Sequence, residues 1–563
     1  MKIKYIYYFF TVIAVMFFSS YWYLRAKSRI GKSMDVPNEI LIGVYDQKEI
    51  LPPNLVSNIQ SFSIQWKGSA DWSVEETLQK AISEDKNLLI TIETWPDRGL
   101  LSNSVLQDVL SGRYDQKIET LARALNLGQG SVYIRWNPEM EVPVKKYPWQ
   151  YQSPYAYMDA FNYFSAHLKH LAPQVKMVWS PAGFPGDSEY WPGKEQVDAI
   201  SITLDSRSEK LSGLYPTGHL STLEKVKQKL HRMRFMDKPV LVLSADKKVT
   251  PDLMGPVLQQ IAKSTEPYRN TVYSAENFKG PYQRTQSRKE LILGAYDPDK
   301  DLVSEPQIKA EHLFTNWGEL KRGEFLTKFN EVIARKHDVI VTMEPWRDTL
   351  KKEDPQMLQS ILQGKYDREI AKLYSIISNV KQTVYLRWTH EMEIPIHRYP
   401  WQSQDPVVYI NCFRYFMNFP KVKPENIRRI WGPAGDRGSV DWYPGDDVVD
   451  YVSIAIYGLP DKNITDENQQ ELFSDIFRRK NYRMRFINKP LFITEFGVKG
   501  SEKYQNKWLE DAAKTIRNNP TIFGASYFNQ HDDPKAWGDI KPPVWKIGKE
   551  SFKKFCNPLK GAF

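Results

Sequence analysis

The chain has 563 residues, 41% hydrophobic and 26% charged, which suits a folded protein and excludes a disordered, collagen-like or polytopic membrane chain. Two cysteines, Cys412 and Cys556, exclude a disulfide-framed scaffold and a cysteine-rich zinc module. Of the net charge of +10, residues 1–34 carry +6 and no acid, so the remainder shares +4 and has no basic stripe for nucleic acid. The 17 Trp and 31 Tyr then fit a sugar partner, because pyranose C–H faces pack on flat rings.

Residues 1–34 read as a signal anchor. Tyr5 to Leu24 is uncharged and mostly apolar, long enough to span a bilayer core as one helix. Tyr21, Trp22 and Tyr23 suit the interfacial belt, and no small-x-small cleavage site precedes the basic patch. The basic cluster after the span argues for an internal C-terminal part, whereas large domains often translocate regardless of nearby charge. The expectation is a single-pass, membrane-anchored protein whose remaining part is exported, to the periplasm or the cell surface.

After the anchor the sequence repeats itself. Val132-Tyr-Ile-Arg-Trp-Asn-Pro-Glu-Met-Glu141 returns as Val384-Tyr-Leu-Arg-Trp-Thr-His-Glu-Met-Glu393, Tyr147-Pro-Trp149 as Tyr399-Pro-Trp401, and Trp179-Ser-Pro-Ala-Gly183 as Trp431-Gly-Pro-Ala-Gly435. The offset between these and the other matched segments stays between 250 and 252, so order and spacing are kept. The chain reads as an anchor (1–34) and two tandem copies (35–285 and 286–563).

In the second copy apolar runs fall at 291–296, 310–315, 338–343, 383–388, 427–431, 449–456, 490–494 and 521–527. Helical patterns lie between several of them, at 324–335, 368–379, 407–418 and 506–518. Eight strands alternating with helices predict a (β/α)8 barrel, so the fold class is α/β with two tandem (β/α)8 TIM barrels after a transmembrane helix. A doubly wound nucleotide-binding sheet would need a Gly-rich phosphate turn, and no GxGxxG opens a helix.

Barrel chemistry sits at the C-terminal ends of strands. Glu391 follows the fourth run and Glu495 ends the seventh, and two carboxylates across one mouth are what glycoside hydrolysis needs. Arg387-Trp-Thr-His-Glu-Met392, Tyr399-Pro-Trp401, Trp442-Tyr-Pro-Gly-Asp446 and Ile493-Thr-Glu-Phe-Gly497 together resemble glycoside hydrolase family 26. That family includes β-mannanases and some β-glucan and β-xylan hydrolases, and it is a retaining (β/α)8 family. The resemblance implies that Glu391 is the acid/base and Glu495 the nucleophile, that His390 precedes the acid, and that Tyr457 hydrogen-bonds the nucleophile. Trp401, Trp346 and Phe528 are further substrate-binding candidates; family mannanases tend to carry Trp at the end of strand eight, where this chain offers Tyr527 or Phe528. Arg387 and Trp388 are expected to orient Glu391.

No cofactor is implied. His390 with His397 makes no HExxH and has no apparent third ligand, so no metal is expected. Cys412 and Cys556 fall on helices across the ring, so no disulfide is expected.

The first copy keeps Glu139, but Pro138 replaces His390, Asp205 replaces Tyr457, and Ala245 stands at the nucleophile position. A methyl group cannot attack a sugar, so this copy is expected to be inactive as a retaining hydrolase. Trp95, Trp136, Trp149 and Trp191 are either retained sugar contacts or inherited core. The sequence therefore predicts an anchored β-glycanase acting on a β-mannan- or β-glucan-type polysaccharide. Its rival is a non-catalytic glycan-binding or scaffold protein; polysaccharide synthesis machinery is a possible partner of either.

Overall fold

A computed structural model of the chain describes residues 39–68, 70–97, 104–143, 146–150, 152–204, 220–263, 287–346, 354, 356–395, 398–402, 404–458, 471–532 and 542–562. The predicted anchor at 1–34, Asp205 and His397 lie outside them. Among the described residues no helix is long and apolar enough to cross a membrane. The chain divides into two compact units, the first reaching residue 263 and the second beginning at 264, with residues 234–237 grouped with the second.

The first unit contains β1 (Ile40–Tyr45), β2 (Ile59–Lys67), β3 (Asn87–Trp95), β4 (Val132–Trp136), β5 (Val175–Trp179), β6 (Ala199–Thr203) and β7 (Val240–Ser244). Strands β2 to β7 pair in parallel, in chain order. The helix Pro154–Leu171 buries Tyr157, Phe161, Phe164 and Leu168, the recurring face of an amphipathic helix, and Pro154 opens its first turn.

This unit departs from the closed barrel that the sequence predicts. Its described residues form a curled, seven-stranded sheet in the order β1-β7-β6-β5-β4-β3-β2. β1 lies on the outer edge of β7 and runs antiparallel to it, with Ile40 opposite Ser244 and Tyr45 opposite Val240. A short apolar strand satisfies its backbone on a free edge in either direction, and here it takes the edge that an eighth parallel strand would use. The helix Pro251–Lys263 covers β1 at Gly43, where a Cβ would come within 2.7 Å of Leu258 and 2.8 Å of Met254.

The second unit is a closed barrel. Its strands are β8 (Ile292–Tyr296), β9 (Ile308–Asn316), β10 (Asp338–Glu344), β11 (Val384–Trp388), β12 (Ile427–Trp431), β13 (Tyr451–Val452), β14 (Ala455–Gly458), β15 (Leu491–Val498) and β16 (Ile522–Phe528). All pairings are parallel. β16 returns to β8, and β13 bridges β12 to β15 while β14 continues along β15. β13 and β14 therefore share the sixth position of an eight-stranded barrel. The predicted runs match these strands closely, and the four predicted helices appear as Glu324–Ala334, Asp367–Ile377, Pro406–Met417 and Glu502–Asn518. Asp405 caps the third of these by accepting from Val407 N at 2.7 Å.

The two-residue period of each strand stacks the barrel interior in layers. The lowest joins Ala310, Ile340, Tyr385, Ile430 and Phe492 with Ile292, Tyr451 and Phe523. Two residues on along β9, β10, β11 and β15 come His312, Thr342, Arg387 and Thr494, all buried, so the second layer is polar. Two further on, Tyr296, Phe314 and Glu344 reach the C-terminal mouth. Cys412 and Cys556 are buried, unpaired and on separate helices, as expected.

The lowest layer leaves no space at Gly524, where a Cβ would meet Phe492 at 2.6 Å and the Ile292 carbonyl at 2.9 Å. Gly524→Ala is expected to cost about 1–3 kcal/mol of stability, the usual penalty of overpacking. Thermal unfolding of the full chain measures it.

Candidate active site

β11 alternates Tyr385 and Arg387 inward with Val384, Leu386 and Trp388 outward. Trp388 is fully buried against Tyr409, Phe413 and Phe416 of the helix Pro406–Met417. The chain then leaves the strand through two non-glycine residues in the left-handed region, Thr389 (φ 45°) and Glu391 (φ 54°). Such residues are uncommon and need support. Glu391 N donates to the Gly432 carbonyl (2.9 Å) and Gln402 Nε2 donates to the Glu391 carbonyl (3.0 Å). Glu393 ties down the neighbouring loop by accepting from Gly435 N, Asp436 N and Ser439 Oγ.

Glu495 reaches the mouth through a bulge. Ile493 pairs with Ala525 and Phe496 with Tyr527, so three steps on β15 oppose two on β16. Phe496 packs outward on Phe473 and Phe555. The extra residue accommodates both Thr494 and Glu495 on the inner side. Glu495 then forms an ion pair with Arg387 Nη2 and accepts from Tyr457 Oη at 2.7 Å. Arg387, expected to orient Glu391, instead holds Glu495, because its place in the strand period directs it across the barrel.

The two predicted carboxylates share this mouth electrically. Burial pushes Glu391 up to about 7, and the negative charge of Glu495 adds to the rise while Arg398 and Arg387 oppose it. Burial likewise pushes Glu344 up to about 7, against the pull of Arg398 and a hydrogen bond from Trp346 Nε1 (3.3 Å). Burial, then the charges of Arg387 and Arg398, hold His390 well below its ordinary value and so neutral. Burial and Glu495 keep the Tyr457 phenol protonated.

The aromatic residues divide into support and lining. Trp401 is fully buried, stacks on Tyr399 at 4.5 Å, and donates from Nε1 to the His390 carbonyl at 2.8 Å. It is placed as a buttress, with no face open to a sugar; Trp346, nearly as buried, packs beside it at 5.7 Å. Phe528 is half-buried and meets Tyr296 (4.8 Å), Phe314 (6.3 Å) and Tyr457 (6.2 Å). Phe314 also approaches His390 at 6.0 Å. Motif reading missed Tyr296 and Phe314, although counting by twos from Ile292 and Ala310 reaches both. Among the described residues no cluster of three His, Cys, Asp or Glu could hold a metal ion.

The first unit repeats much of this architecture. Glu139 has φ 59°, donates from its N–H to the Ser180 carbonyl (2.7 Å), and has its carbonyl held by Gln150 Nε2 (3.0 Å). Trp149 Nε1 donates to the Pro138 carbonyl (2.8 Å), and Trp95 Nε1 to Glu93 (3.0 Å), which burial pushes up to about 7. Trp95, Trp136, Trp149 and Trp191 are all buried, so as placed these rings are core. Arg135 donates to Thr91 and Ser201, and with Ala245 at the end of β7 its carboxylate partner is Glu39, at 2.8 Å. The reversal of β1 makes this possible: its N-terminal end lies beside Ser244, at the end of the sheet where β7 finishes.

No family model matches the chain. A β-1,3-xylanase from Alcaligenes sp is 27% identical over 194 residues, which are 32% of this chain and 38% of that protein. The β-1,3-xylanase TXYA from Vibrio sp is 27% identical over 247 residues, 36% of this chain and 50% of that protein. The matches thus span half or less of these curated relatives. Among solved structures, a GH26 β-mannanase from Bacteroides ovatus aligns with a TM-score of 0.37 at 16% identity, covering 48% of this chain and 90% of that one.

The Arg135–Glu39 pair has side-chain exposures of 2% and 9%. Glu39→Ala is expected to destabilise the first unit by about 3–5 kcal/mol, because it strands a buried guanidinium. Ala245→Glu in that background is expected to recover part of the loss by restoring a carboxylate at the end of β7. Chemical denaturation of the three proteins tests both.

Proposed function

We propose that the second unit is a retaining β-glycoside hydrolase acting on a β-linked polysaccharide of the mannan or glucan type, with Glu391 as acid/base and Glu495 as nucleophile. The observation that carries this reading is the unequal treatment of two carboxylates in one mouth: Glu495 is gripped by Arg387 and Tyr457, while Glu391 is pushed up to about 7 by burial and by Glu495. That asymmetry suits a donor and an attacker. Glu391 gives its proton to the glycosidic oxygen as a Glu495 oxygen bonds the anomeric carbon and the leaving sugar departs. Glu391, now a carboxylate, takes a proton from water as that water displaces Glu495, and configuration is retained overall.

Neutral His390 lies directly before the acid, its buried Nδ1 without a partner among the described residues. Phe528, with Phe314 and Tyr296, offers ring surface where a Trp platform would otherwise stand. The relatives named as β-1,3-xylanases favour a β-linked backbone, so xylans belong among the test substrates beside mannan and glucans. The reading assigns turnover to the second copy of a tandem duplication, because the first has Ala at position 245. It also has the Tyr5–Leu24 run anchor the protein, with the enzyme exported to trim a glycan that the cell's own synthesis machinery makes.

Full-length protein in detergent is expected to hydrolyse at least one of mannan, lichenan, laminarin, β-1,3-xylan and β-1,4-xylan with retention. Glu495→Ala should lower kcat by roughly a thousandfold or more. Activity should fall as pH rises past about 7, because the acid must be protonated to donate and Glu391 loses its proton there. Binding to the panel without turnover, or undiminished turnover by Glu495→Ala, would overturn the assignment.

A further inference from the structure

Inside the barrel, below the mouth, Arg387 is anchored at several points. Its Nε donates to Thr342 Oγ1 at 2.8 Å and its Nη2 pairs with Glu495. Its guanidinium lies over the Phe314 ring at 5.7 Å. Its aliphatic stem lies against Gly432, where a Cβ would come within 2.6 Å of Cδ. Thr342 is in turn 2.7 Å from His312 Nε2. His312, Thr342 and Arg387 sit on the adjacent strands β9, β10 and β11, all in the polar second layer, and Thr342 pairs directly with Arg387 in the ladder.

We infer that Thr342 and His312 are positioning residues, forming a buried chain His312–Thr342–Arg387 that fixes the guanidinium against Glu495. The inference rests on the hydrolase reading above and extends it to two residues which touch neither sugar nor nucleophile.

The chemistry of the chain has a direction. Arg387 is always a donor, so Thr342 Oγ1 accepts from it. The Thr342 hydroxyl hydrogen is then free to point at His312. Burial and the charge of Arg387 keep that imidazole neutral, so it can present a bare nitrogen to accept it. A threonine is stiff at χ1, and both its neighbours are in the ladder, so its oxygen has little room to wander. Without the hydroxyl, Nε of Arg387 would be buried without its acceptor, and the guanidinium would rotate to find another. Glu495 would then keep a cation nearby but lose its fixed direction of attack. Misplacements of this size cost rate rather than affinity.

The test uses the full chain and 2,4-dinitrophenyl β-glycosides, whose leaving group needs no protonation. It reads kcat and KM for the first step from the pre-steady-state release of dinitrophenol, which reports on nucleophile placement rather than on Glu391. Thr342→Val is expected to lower kcat by about 10- to 100-fold with KM changed by no more than about twofold. Thr342→Ser, which keeps the hydroxyl, should return to within about threefold of wild type. If Thr342→Val does not fold, His312→Phe is the second variant; it removes the acceptor beyond Thr342 and should lower kcat by about 10-fold with the same split. Wild-type kcat in Thr342→Val, a loss confined to KM, or equal impairment in Thr342→Ser and Thr342→Val would each overturn the inference. Failure of the hydrolase reading looks different: wild type would show no turnover, or Glu495→Ala would match it, and this inference would fall with it.

Discussion

A guanidinium buried inside a barrel constrains everything around it. Arg387 cannot shed its charge, and its side chain is 2% exposed, so the fold has to bring a carboxylate to it. That carboxylate is Glu495, and reaching it takes a bulge in β15 and a polar layer of Thr342, His312, Ser453 and Thr494 around the stem. The first unit shows how firm the requirement is. Arg135 is equally buried, the position at the end of β7 is alanine, and Glu39 arrives from the start of a reversed strand to meet the same charge. In one unit the counter-ion is positioned by the seventh strand of a closed barrel, and in the other by an antiparallel edge.

The Glu391 side of the mouth depends on backbone rather than on charge. Glu391 and Glu139 both lie in the left-handed region two residues after a left-handed Thr389 or Asn137. Each is clamped by an N–H to the next strand's loop and by a glutamine on its own carbonyl. A strained path of this kind persists only where the surroundings over-determine it. Trp401 and Trp149 belong to the clamp, since each indole holds the carbonyl just before the glutamate. This explains why a tryptophan that looks like a sugar platform in sequence is a buttress in space.

Much of this was legible in the sequence because the second unit's strands are apolar and evenly spaced, which fixes strand positions to within a few residues. Glu391 and Glu495 were candidates because they lie near strand ends, which a barrel gathers, whereas Tyr457 entered only through the family resemblance. Arg387 was misread because neighbours in sequence look like neighbours in space, whereas the strand period sends it across to β15. The reversal of β1 left no trace, because Ile40–Tyr45 is a short apolar run that reads equally well in both directions. Phe314 and Tyr296 belong to no motif, and only the two-residue period counted from the core layer carries them to the mouth.

One cation and one phenol on Glu495 give two identical side chains different surroundings in one mouth. Arg387 and Tyr457 both contact Glu495, and the charge of Glu495 adds to burial in raising Glu391. A change that loosens Arg387 acts on both at once: it frees the Glu495 carboxylate and removes a positive charge that opposes the rise of Glu391.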